Sequence, residues 1–443
     1  MSESIDLICR ADQCISCGAC VAICPLDNIR LVYNGQREKY DARVVAPERC
    51  GQNCAASNCL RVCPSYEVDF AALGDAEAND ALGRCLEVWT GRSARPGEAL
   101  RASSAGVVRR LLDELLKADL IDGVIALSHD AGLDFTPKLL TDVADLPGSI
   151  YHNVNFAPVF DLIEQTDARL AVVALPCHIA GLTKYFSVPR KRKFQRRIVL
   201  TISLICGYSF SRAGIKAYAR GKGIRRIDSV AYRGAGKGKQ VRIGHSGGRH
   251  VQPRPGSLRW RRYVDFQLLF HPMLAQRRCL CCVDHLGYLA DLVIGDAWLP
   301  RFANETEGTN LIVVRTQRGK VALEAASRGL ELEAASPADL RTAQGPYARG
   351  ELGEYFLRRT VGRGGFAPRF NRGSSTVRPH RPAPWDRLLL WAVEKAPRRW
   401  ALSARKLVIG LVLYPLTVLQ SAVRGSLKAA AKLGLGRGVN TPE

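Results

Sequence analysis

Eight cysteines near the N-terminus have the spacing of ligands for iron. The first four form the pattern C-x2-C-x2-C-x3-C-P, and the next four form C-x3-C-x4-C-x3-C-P. They are Cys14, Cys17, Cys20 and Cys24, followed by Cys50, Cys54, Cys59 and Cys63. In the first pattern, three close thiolates hold one 4Fe-4S cluster and the fourth binds a neighbouring cluster. The sequence therefore predicts one-electron chemistry at two clusters.

This crossed ligation is typical of bacterial ferredoxins, and it divides the eight cysteines into two sets. We call the predicted clusters cluster 1, with Cys14, Cys17, Cys20 and Cys63, and cluster 2, with Cys24, Cys50, Cys54 and Cys59. A zinc site would need two C-x2-C pairs or added histidines, and disulfides would need an oxidising compartment. The second set is the less regular of the two, so its spacing leaves open whether both clusters assemble.

Behind these cysteines the chain alternates short apolar runs with helical patterns. Residues 170–176 and 198–205 indicate buried strands, and residues 178–186 between them favour a helix. That alternation is a βαβ unit, in which parallel strands are covered on both faces. We therefore expect an α/β fold, α+β over the whole chain, with a two-cluster ferredoxin domain in front.

Four further cysteines fall where this sheet would bring them together. Cys177 and Cys206 each follow one of the two strands, and Cys279 and Cys282 form a C-x2-C pair. Loops after adjacent parallel strands converge at one edge of a sheet, so the four thiols could hold a third cluster. Buried apolar thiols at Cys177 and Cys206 are the alternative, and spacing alone leaves both open.

Other segments extend the α/β pattern. Apolar residues at helical spacing follow Ser103 and Ser104, which predicts a helix that one of these serines opens. Strands are predicted at 122–128 and 309–316, a hairpin with a glycine-rich turn at 230–243, and helices at 211–220 and 320–327.

Length and charge limit the classes of protein. A chain of 443 residues suggests about three domains. The net charge is +23, but residues 1–83 are net −5 and the remainder is +28. No helix-turn-helix, zinc-finger or RNP-like pattern accompanies the positive charge, so nucleic acid is not expected as a partner. The fifteen cysteines at metal spacing and the N-terminus without a signal pattern predict a cytoplasmic protein with reduced thiols.

Four segments follow from these patterns. They are a two-cluster ferredoxin domain at 1–75, an α/β domain at 84–345, which the resemblance described below implies to be flavin-binding, a linker at 346–383 and a basic, helical, amphipathic tail at 384–443. The tail is net +7, and its uncharged run 407–419 is shorter than the ~20 residues that span a bilayer. It suits peripheral contact with a membrane or a partner protein, and packing on the protein's own core is the alternative.

Five short stretches resemble the family of coenzyme F-420 hydrogenase and dehydrogenase beta subunits, which also includes plant 7-hydroxymethyl chlorophyll a reductase. They are Ala102–Gly106, Pro176–Leu182, Ile205–Ser211, Cys279-x2-Cys282-x8-Asp291 and Gly295–Trp298. The resemblance covers roughly residues 84–345, and a two-cluster ferredoxin domain in front is also seen in the family.

The resemblance implies an FAD enzyme that keeps a 4Fe-4S cluster beside the flavin and exchanges electrons with a deazaflavin or another acceptor. It favours the third cluster at Cys177, Cys206, Cys279 and Cys282. A flavin exchanges two electrons as hydride whereas each cluster carries one, so a flavin between them would convert one kind of transfer into the other.

Candidate cofactor residues lie in the matching stretches, and no catalytic side chain is assigned. Ser103, Ser104 and Gly106 could present amides to a flavin phosphate or simply cap a helix. His178 could protonate a substrate or flavin, support a cluster ligand or fill the core. Asp296 could bind flavin hydroxyls or cap a turn.

Departures from the family pattern leave the hydride partner open. Ala105 stands where the family usually has glycine, and His178 stands where glutamine is common. The family's Gly-Ser-x-Tyr-Val-x-Ser stretch is only half kept in residues 148–154.

Two functions remain from the sequence. The first is an oxidoreductase that couples ferredoxin-type clusters, through FAD, to coenzyme F-420 or another organic substrate. The second is an electron-transfer adaptor subunit with no substrate of its own. The basic run 184–197 contains no acid and is predicted to be a solvated loop, or else a surface that docks an acidic ferredoxin or steers an anionic cofactor.

Overall fold

The computed structural model describes residues 4–50, 54, 58–74, 82–233, 241–245, 249–251, 274–345 and 351–371. The chain divides into two compact units. The first comprises Met1–Arg212, Arg225–Gln252 and Ala275–Arg381, and it carries every cysteine. The second comprises Ala213–Ile224, Pro253–Leu274 and Pro382–Glu443, and its described part is helical. The predicted tail at 384–443 and the glycine-rich turn at 234–240 lie outside the described residues.

The N-terminal module, residues 4–74, consists of short elements. Its helices are α1 Asp6–Arg10, α2 Ala19–Ile23, α3 Asn58–Arg61 and α4 Phe70–Leu73, and its strands are β1 Ile29–Asn34, β2 Lys39–Val44 and β3 Glu67–Asp69. Strands β1 and β2 form an antiparallel hairpin. Ile8, Ile29, Val44 and Leu60 pack with cysteines in its core. Because so few apolar side chains are available, the module has its cysteines as part of its core.

The α/β domain, residues 82–345, is built on an eight-stranded mixed sheet. The strands are β4 Glu87–Ser93, β5 Gly123–Ala131, β6 Asp134–Leu140, β7 Leu170–Ala174, β8 Ile198–Leu204, β12 Leu292–Asp296, β13 Asn310–Val314 and β14 Leu330–Ala335. Their order in the sheet is β14-β4-β13-β12-β8-β7-β5-β6. Strands β5, β7, β8 and β12 run parallel to one another. Strand β13 is antiparallel to both β12 and β4. A small sheet of β9 Ser229–Ala231, β10 Arg242–His245 and β11 Arg249–Val251 stands apart.

Nine α-helices follow the N-terminal module within the described residues. They are α5 Glu98–Arg101, α6 Val107–Lys117, α7 Pro158–Glu164, α8 Pro176–Ser187, α10 Arg277–Leu280, α11 Gln317–Ala325, α12 Pro337–Gln344 and α13 Glu351–Val361, with α9 Arg212–Gly221 continuing into the second unit. On one face, Leu111 of α6 and Leu323 of α11 pack on sheet residues such as Ile294. None of the described helices is long and apolar enough to cross a membrane.

The other face of the sheet shares its core with the N-terminal module. Ile15 and Ile23 of the module are buried in the same cluster as Phe160 of α7, Leu182 of α8 and Val172 of β7. Burying apolar surface across this junction stabilises the contact by about 25 cal/mol per Å². The two predicted domains are therefore packed into one unit.

The predicted βαβ unit is confirmed, and three other expectations need correction. Strands β7 and β8 are parallel and helix α8 connects them. However, the first predicted helix begins at Val107, after Gly106 in a left-handed conformation, and neither serine caps it. Residues 346–383, expected to be a linker, contain α13 and strand β15 Arg369–Asn371, which pairs with β3. Lys184, expected in a solvated loop, is 9% exposed on α8.

Gly18 provides a test of the junction. Its φ is +81°, and a Cβ there would lie 2.2 Å from the Ala157 Cα of the α/β domain. We expect Gly18→Ala to lower the free energy of unfolding by roughly 2–4 kcal/mol, because it combines backbone strain with a backbone clash. Gly35→Ala is the matched control, since no atom lies within 4 Å of its Cβ position. Equal urea midpoints for the two variants, measured anaerobically, would contradict the expectation.

Candidate iron-sulfur and cofactor site

The four cysteines predicted for cluster 1 lie together in the structure. Cys14, Cys17, Cys20 and Cys63 are each no more than 7% exposed. Burial raises the pKa of the Cys20 thiol well above its usual value, and repulsion from Cys17, Cys14 and Cys63 raises it further. Burial likewise raises the pKa of Cys63 to about 12. Four thiolates this close and this buried need a cationic centre, so the arrangement fits a cluster.

Backbone amides and a buried lysine surround these sulfurs. The Ser16 amide donates to the Cys14 Sγ at 3.4 Å. Lys39, 2% exposed, donates to the Cys14 carbonyl at 2.9 Å and forms ion pairs with Asp12 and Asp41 at 3.0 and 2.9 Å. Hydrogen bonds and positive charge both favour ionised sulfur. The sequence analysis missed Lys39, because nothing in its strand marks it as buried.

The cysteines predicted for cluster 2 also converge, nearer the surface. Cys24, Cys50, Cys54 and Cys59 are all partly exposed. Burial raises the pKa of Cys59, and the charges of Cys54 and Cys24 add to the shift. The Asn28 side-chain amide lies 3.5 Å from the Cys50 Sγ, and its backbone amide donates to the Cys24 Sγ at 3.4 Å. The irregular spacing of the second set therefore still brings its four thiols together.

A third group of four thiols lies at the carboxyl edge of the parallel strands. Cys177 follows β7 and Cys206 follows β8, while α10 and the turn after it provide Cys279 and Cys282. Burial raises the pKa of Cys177 well above its usual value, and the charges of Cys279 and Cys282 raise it further. Burial also raises the pKa of Cys206, and the charges of the other three thiols raise it further. The structure thus brings together the set predicted for the third cluster.

Cys281 does not join this group. It is 2% exposed, and burial raises its pKa. Cys281 is not among the charges that act on Cys177 or Cys206. The C-x2-C pair, and not the adjacent Cys281, faces the strand ends.

Single metal ions fit these sites less well than clusters. Within the part of the chain that the structure describes, no group of three or more His, Cys, Asp or Glu side chains is arranged to hold one ion. A 4Fe-4S cluster keeps its thiolates farther apart than one ion does, because iron and sulfide lie between them.

Helix α8 connects cluster 1 with the third cysteine group. Its second residue is Cys177, and one turn later a Cβ on Gly181 would lie 3.2 Å from the Cys17 Sγ. Four residues of helix span about 6 Å. On the other side of cluster 1, Cys59 is close enough for its charge to act on Cys20. The three cysteine groups therefore follow one another in the order cluster 2, cluster 1 and third group.

His178 lies on the side of α8 that faces the N-terminal module. Its ring stacks on Phe156 with centroids 4.4 Å apart, and its Nε2 lies 3.4 Å from the Ile15 carbonyl oxygen. Burial lowers the pKa of His178 to about 4. In this place the ring contacts the loop that carries Cys14 and Cys17, and its role toward a flavin stays a prediction.

The remaining predicted cofactor residues meet in one hydrogen-bonded group. Ser104 donates to the Asp296 carboxylate and accepts from the Asn310 side chain at 2.8 Å. Arg233 forms an ion pair with Asp296 at 2.5 Å, and Ser103 donates to the Arg233 carbonyl at 3.2 Å. We call these five residues the serine-aspartate group. Gly106 directly precedes α6 and is two residues from Ser104.

The sequence analysis missed Arg233 and Asn310. Asn310 meets Asp296 only because β12 and β13 pair in a register that places the two opposite each other. Arg233 directly precedes the glycine-rich turn, which was its only signal. The group lies at the carboxyl ends of β4 and β12, the edge at which α/β sheets bind nucleotide cofactors. A guanidinium, hydroxyls and a carboxylate there fit the polar parts of a dinucleotide.

Comparison with known protein families gives three matches. Residues 88–161 match the model for the N-terminal part of the coenzyme F-420 hydrogenase/dehydrogenase beta subunit, and residues 167–339 match the model for its C terminus. Residues 13–66 match a 4Fe-4S dicluster domain. The first two matches together span more than half of the chain, and the third contains all eight cysteines of clusters 1 and 2.

Two relatives of the chain by sequence are also subunits of coenzyme F-420 enzymes. The chain is 27% identical over 212 residues to the coenzyme F-420 hydrogenase subunit beta of Methanococcus voltae, covering 46% of this chain and 68% of that protein. It is 23% identical over 332 residues to an F(420)H(2) dehydrogenase subunit of Methanosarcina mazei, covering 72% and 84%. A solved chain of the F-420-reducing [NiFe] hydrogenase complex of Methanosarcina barkeri matches with a TM-score of 0.49 and 15% identity, covering 63% of this chain and 94% of that one.

Proposed function

The chain belongs to the family of coenzyme F-420 hydrogenase/dehydrogenase beta subunits, and from this we propose that it is an iron-sulfur flavoprotein that passes electrons between 4Fe-4S clusters and a hydride carrier through FAD. Coenzyme F-420 or another organic substrate is the proposed hydride carrier. A redox protein is the proposed one-electron partner, in the cytoplasm. The basic tail at 384–443 is proposed to contact a membrane peripherally, without crossing it.

The observation that carries this proposal is the order of the groups along one path. Cluster 2 is nearer the surface than cluster 1, the third cysteine group follows across α8, and the serine-aspartate group comes last. Gly295, next to Asp296, packs against Ile205, next to Cys206, since a Cβ on Gly295 would lie 2.7 Å from the Ile205 side chain. The last two groups are thus neighbours at the carboxyl edge of the sheet.

The chain's own residues would position the cofactors. FAD, when bound, exchanges two electrons as hydride while each cluster carries one. Arg233 and Ser103 offer donors to the anionic and hydroxyl parts of the nucleotide, and Asp296 holds Arg233 in place. The twelve cysteines hold the clusters, and the shared core between the two domains keeps water away from cluster 1.

Anaerobic purification with iron, sulfide and flavin counted per chain tests the proposal directly. Three clusters and one flavin give about twelve irons and about one FAD. The purified protein is expected to oxidise reduced coenzyme F-420 with an artificial acceptor. Iron and sulfide without flavin would instead support the adaptor function, which the names of the relatives as subunits of larger enzymes favour.

Arg233 allows a narrower test of the flavin site. We expect Arg233→Ala to weaken FAD binding by about 10- to 100-fold, because a charge-assisted hydrogen bond contributes about 1.5–3 kcal/mol. The measurement is the Kd from flavin fluorescence titration of flavin-depleted protein. Arg226→Ala is the control, because Arg226 forms only an exposed pair with Asp228 at 2.9 Å. The same Kd for both variants would exclude Arg233 from the flavin site.

A further inference from the structure

Of the two clusters of the N-terminal module, cluster 2 is the one that an external redox protein can approach more closely. Its cysteines are partly exposed, whereas those of cluster 1 are at most 7% exposed. Electron transfer between proteins needs a close approach, so the surface around Cys24 and Cys50 decides which carrier can dock. This inference rests on the proposed function, because it assumes that cluster 2 is present.

A basic loop lies directly beside Cys24. The loop follows α8, and its Arg190 donates to the Ile23 carbonyl at 2.8 Å. The next turn, Arg192–Arg197, is a 3-10 helix that holds its cations in fixed positions. Lys193 lies over the Phe194 ring at 4.8 Å, which stiffens it further. The loop is therefore attached to the segment that provides a ligand of cluster 2.

Charge pairing leaves part of this loop available to a partner. Lys191 is paired with Glu164 at 2.7 Å, and Arg197 is paired with Asp167. Arg192, Lys193 and Arg196 are exposed and form no ion pair with any residue that the structure describes. Unpaired cations of this kind attract acidic surfaces and accelerate association.

A further cation lies on the other side of the Cys24 loop. Arg49 is exposed, precedes Cys50, and reaches the Leu26 carbonyl at 3.5 Å. Asp27, on the same loop, is neutralised by Arg30 at 2.5 Å. Positive charge thus borders cluster 2 on two sides. We call the surface formed by Arg49, Arg190, Arg192, Lys193 and Arg196 the basic face.

We propose that the basic face docks a small acidic one-electron carrier protein over cluster 2. Each encounter moves one electron between the carrier and cluster 2, so that one of them is oxidised as the other is reduced. Two such transfers carry the two electrons of one hydride at the flavin, and the proton of that hydride is exchanged with solvent. An anionic membrane would also be attracted by these cations, but it would not require them to border a cluster.

The test uses the full-length protein with its clusters and an acidic bacterial two-cluster ferredoxin as the probe. Stopped-flow measurements compare the wild type with the double variant Arg192→Glu, Arg196→Glu at low salt. We expect the second-order rate constant to fall about tenfold, and its salt dependence to become weaker. The matched control is Arg95→Glu, Arg328→Glu, which reverses two exposed arginines next to β4 and β14.

The possible outcomes separate docking from cluster assembly. Iron content, EPR spectrum and reduction by the neutral photoreductant 5-deazariboflavin should be the same in all three proteins. If the clusters are complete and the double variant is slowed no more than the control, the docking proposal is overturned while the proposed function stands. If the double variant keeps the carrier rate but loses binding to phosphatidylserine vesicles, the basic face binds membranes and the carrier proposal is likewise overturned.

Discussion

Replacing Cys206 with alanine will remove about four of the roughly twelve irons expected per chain, whereas replacing Cys281 with alanine will remove none. Cys206 lies with Cys177, Cys279 and Cys282 at the strand ends, and the charges of these three thiols act on it. Cys281 is 2% exposed and more deeply buried than Cys206, and it lies outside this group. The two substitutions delete the same atom, and the control position is the more buried of the two, so a loss of iron in Cys206→Ala alone reports ligation and not general damage.

The measurement is iron and sulfide per chain after anaerobic purification, together with EPR of the reduced protein. Loss of a cluster at this place would also interrupt the path between cluster 1 and the serine-aspartate group. We therefore expect Cys206→Ala to abolish flavin-dependent reduction of clusters 1 and 2 while both clusters remain present. Equal iron contents in the two variants would rule out the third cluster.

Replacing Lys184 with methionine will lower the reduction potential of cluster 1. Lys184 is 9% exposed, and its ammonium donates to the carbonyls of Cys63, at 3.2 Å, and Glu67. No carboxylate among the described residues forms an ion pair with it. A buried cation is costly without a counter-charge, and the nearest negative charge is that of the cluster 1 thiolates. Lys184 is therefore expected to stabilise the more negative, reduced state of the cluster.

The magnitude follows from Coulomb's law. A unit charge about 6–8 Å away, at an effective dielectric constant of about 20, contributes roughly 2–3 kcal/mol, or on the order of 100 mV for one electron. EPR-monitored redox titration measures the shift. Lys184→Arg should restore the potential, and Lys191→Met is the control because Glu164 already neutralises Lys191. A potential unchanged in Lys184→Met would show that this charge does not act on the cluster.

Arg278 is, like Lys184, a buried cation at the junction between the α/β domain and the N-terminal module. It is 3% exposed, lies over the Phe370 ring at 4.9 Å, and donates to the Pro64 carbonyl at 3.4 Å. The charges that act on it most are those of Cys282 and Cys177. Two cations of the α/β domain thus reach the backbone beside Cys63. The junction that joins the domains also compensates the negative charge of the cysteine groups.

The cysteine sets and the local secondary structure could be predicted from the amino-acid sequence alone. The eight N-terminal cysteines fall in patterns that depend on a few residues of local chain, and the strands β7 and β8 and helix α8 follow from short-range apolar periodicity. Even the convergence of Cys177 and Cys206 could be predicted, because residues that follow adjacent parallel strands meet at one edge. All of these features depend on short segments of the chain and not on contacts between distant segments.

The mixed sheet and the partners of the site residues became visible only in the folded chain. Strands β4, β13 and β14 join the sheet antiparallel, and strand β15 of the expected linker pairs with β3. Asn310 meets Asp296 through strand register, and Lys184 and Arg278 are buried because another domain covers them. Pairing, register and burial between distant segments depend on how whole surfaces pack, and local sequence patterns do not specify that.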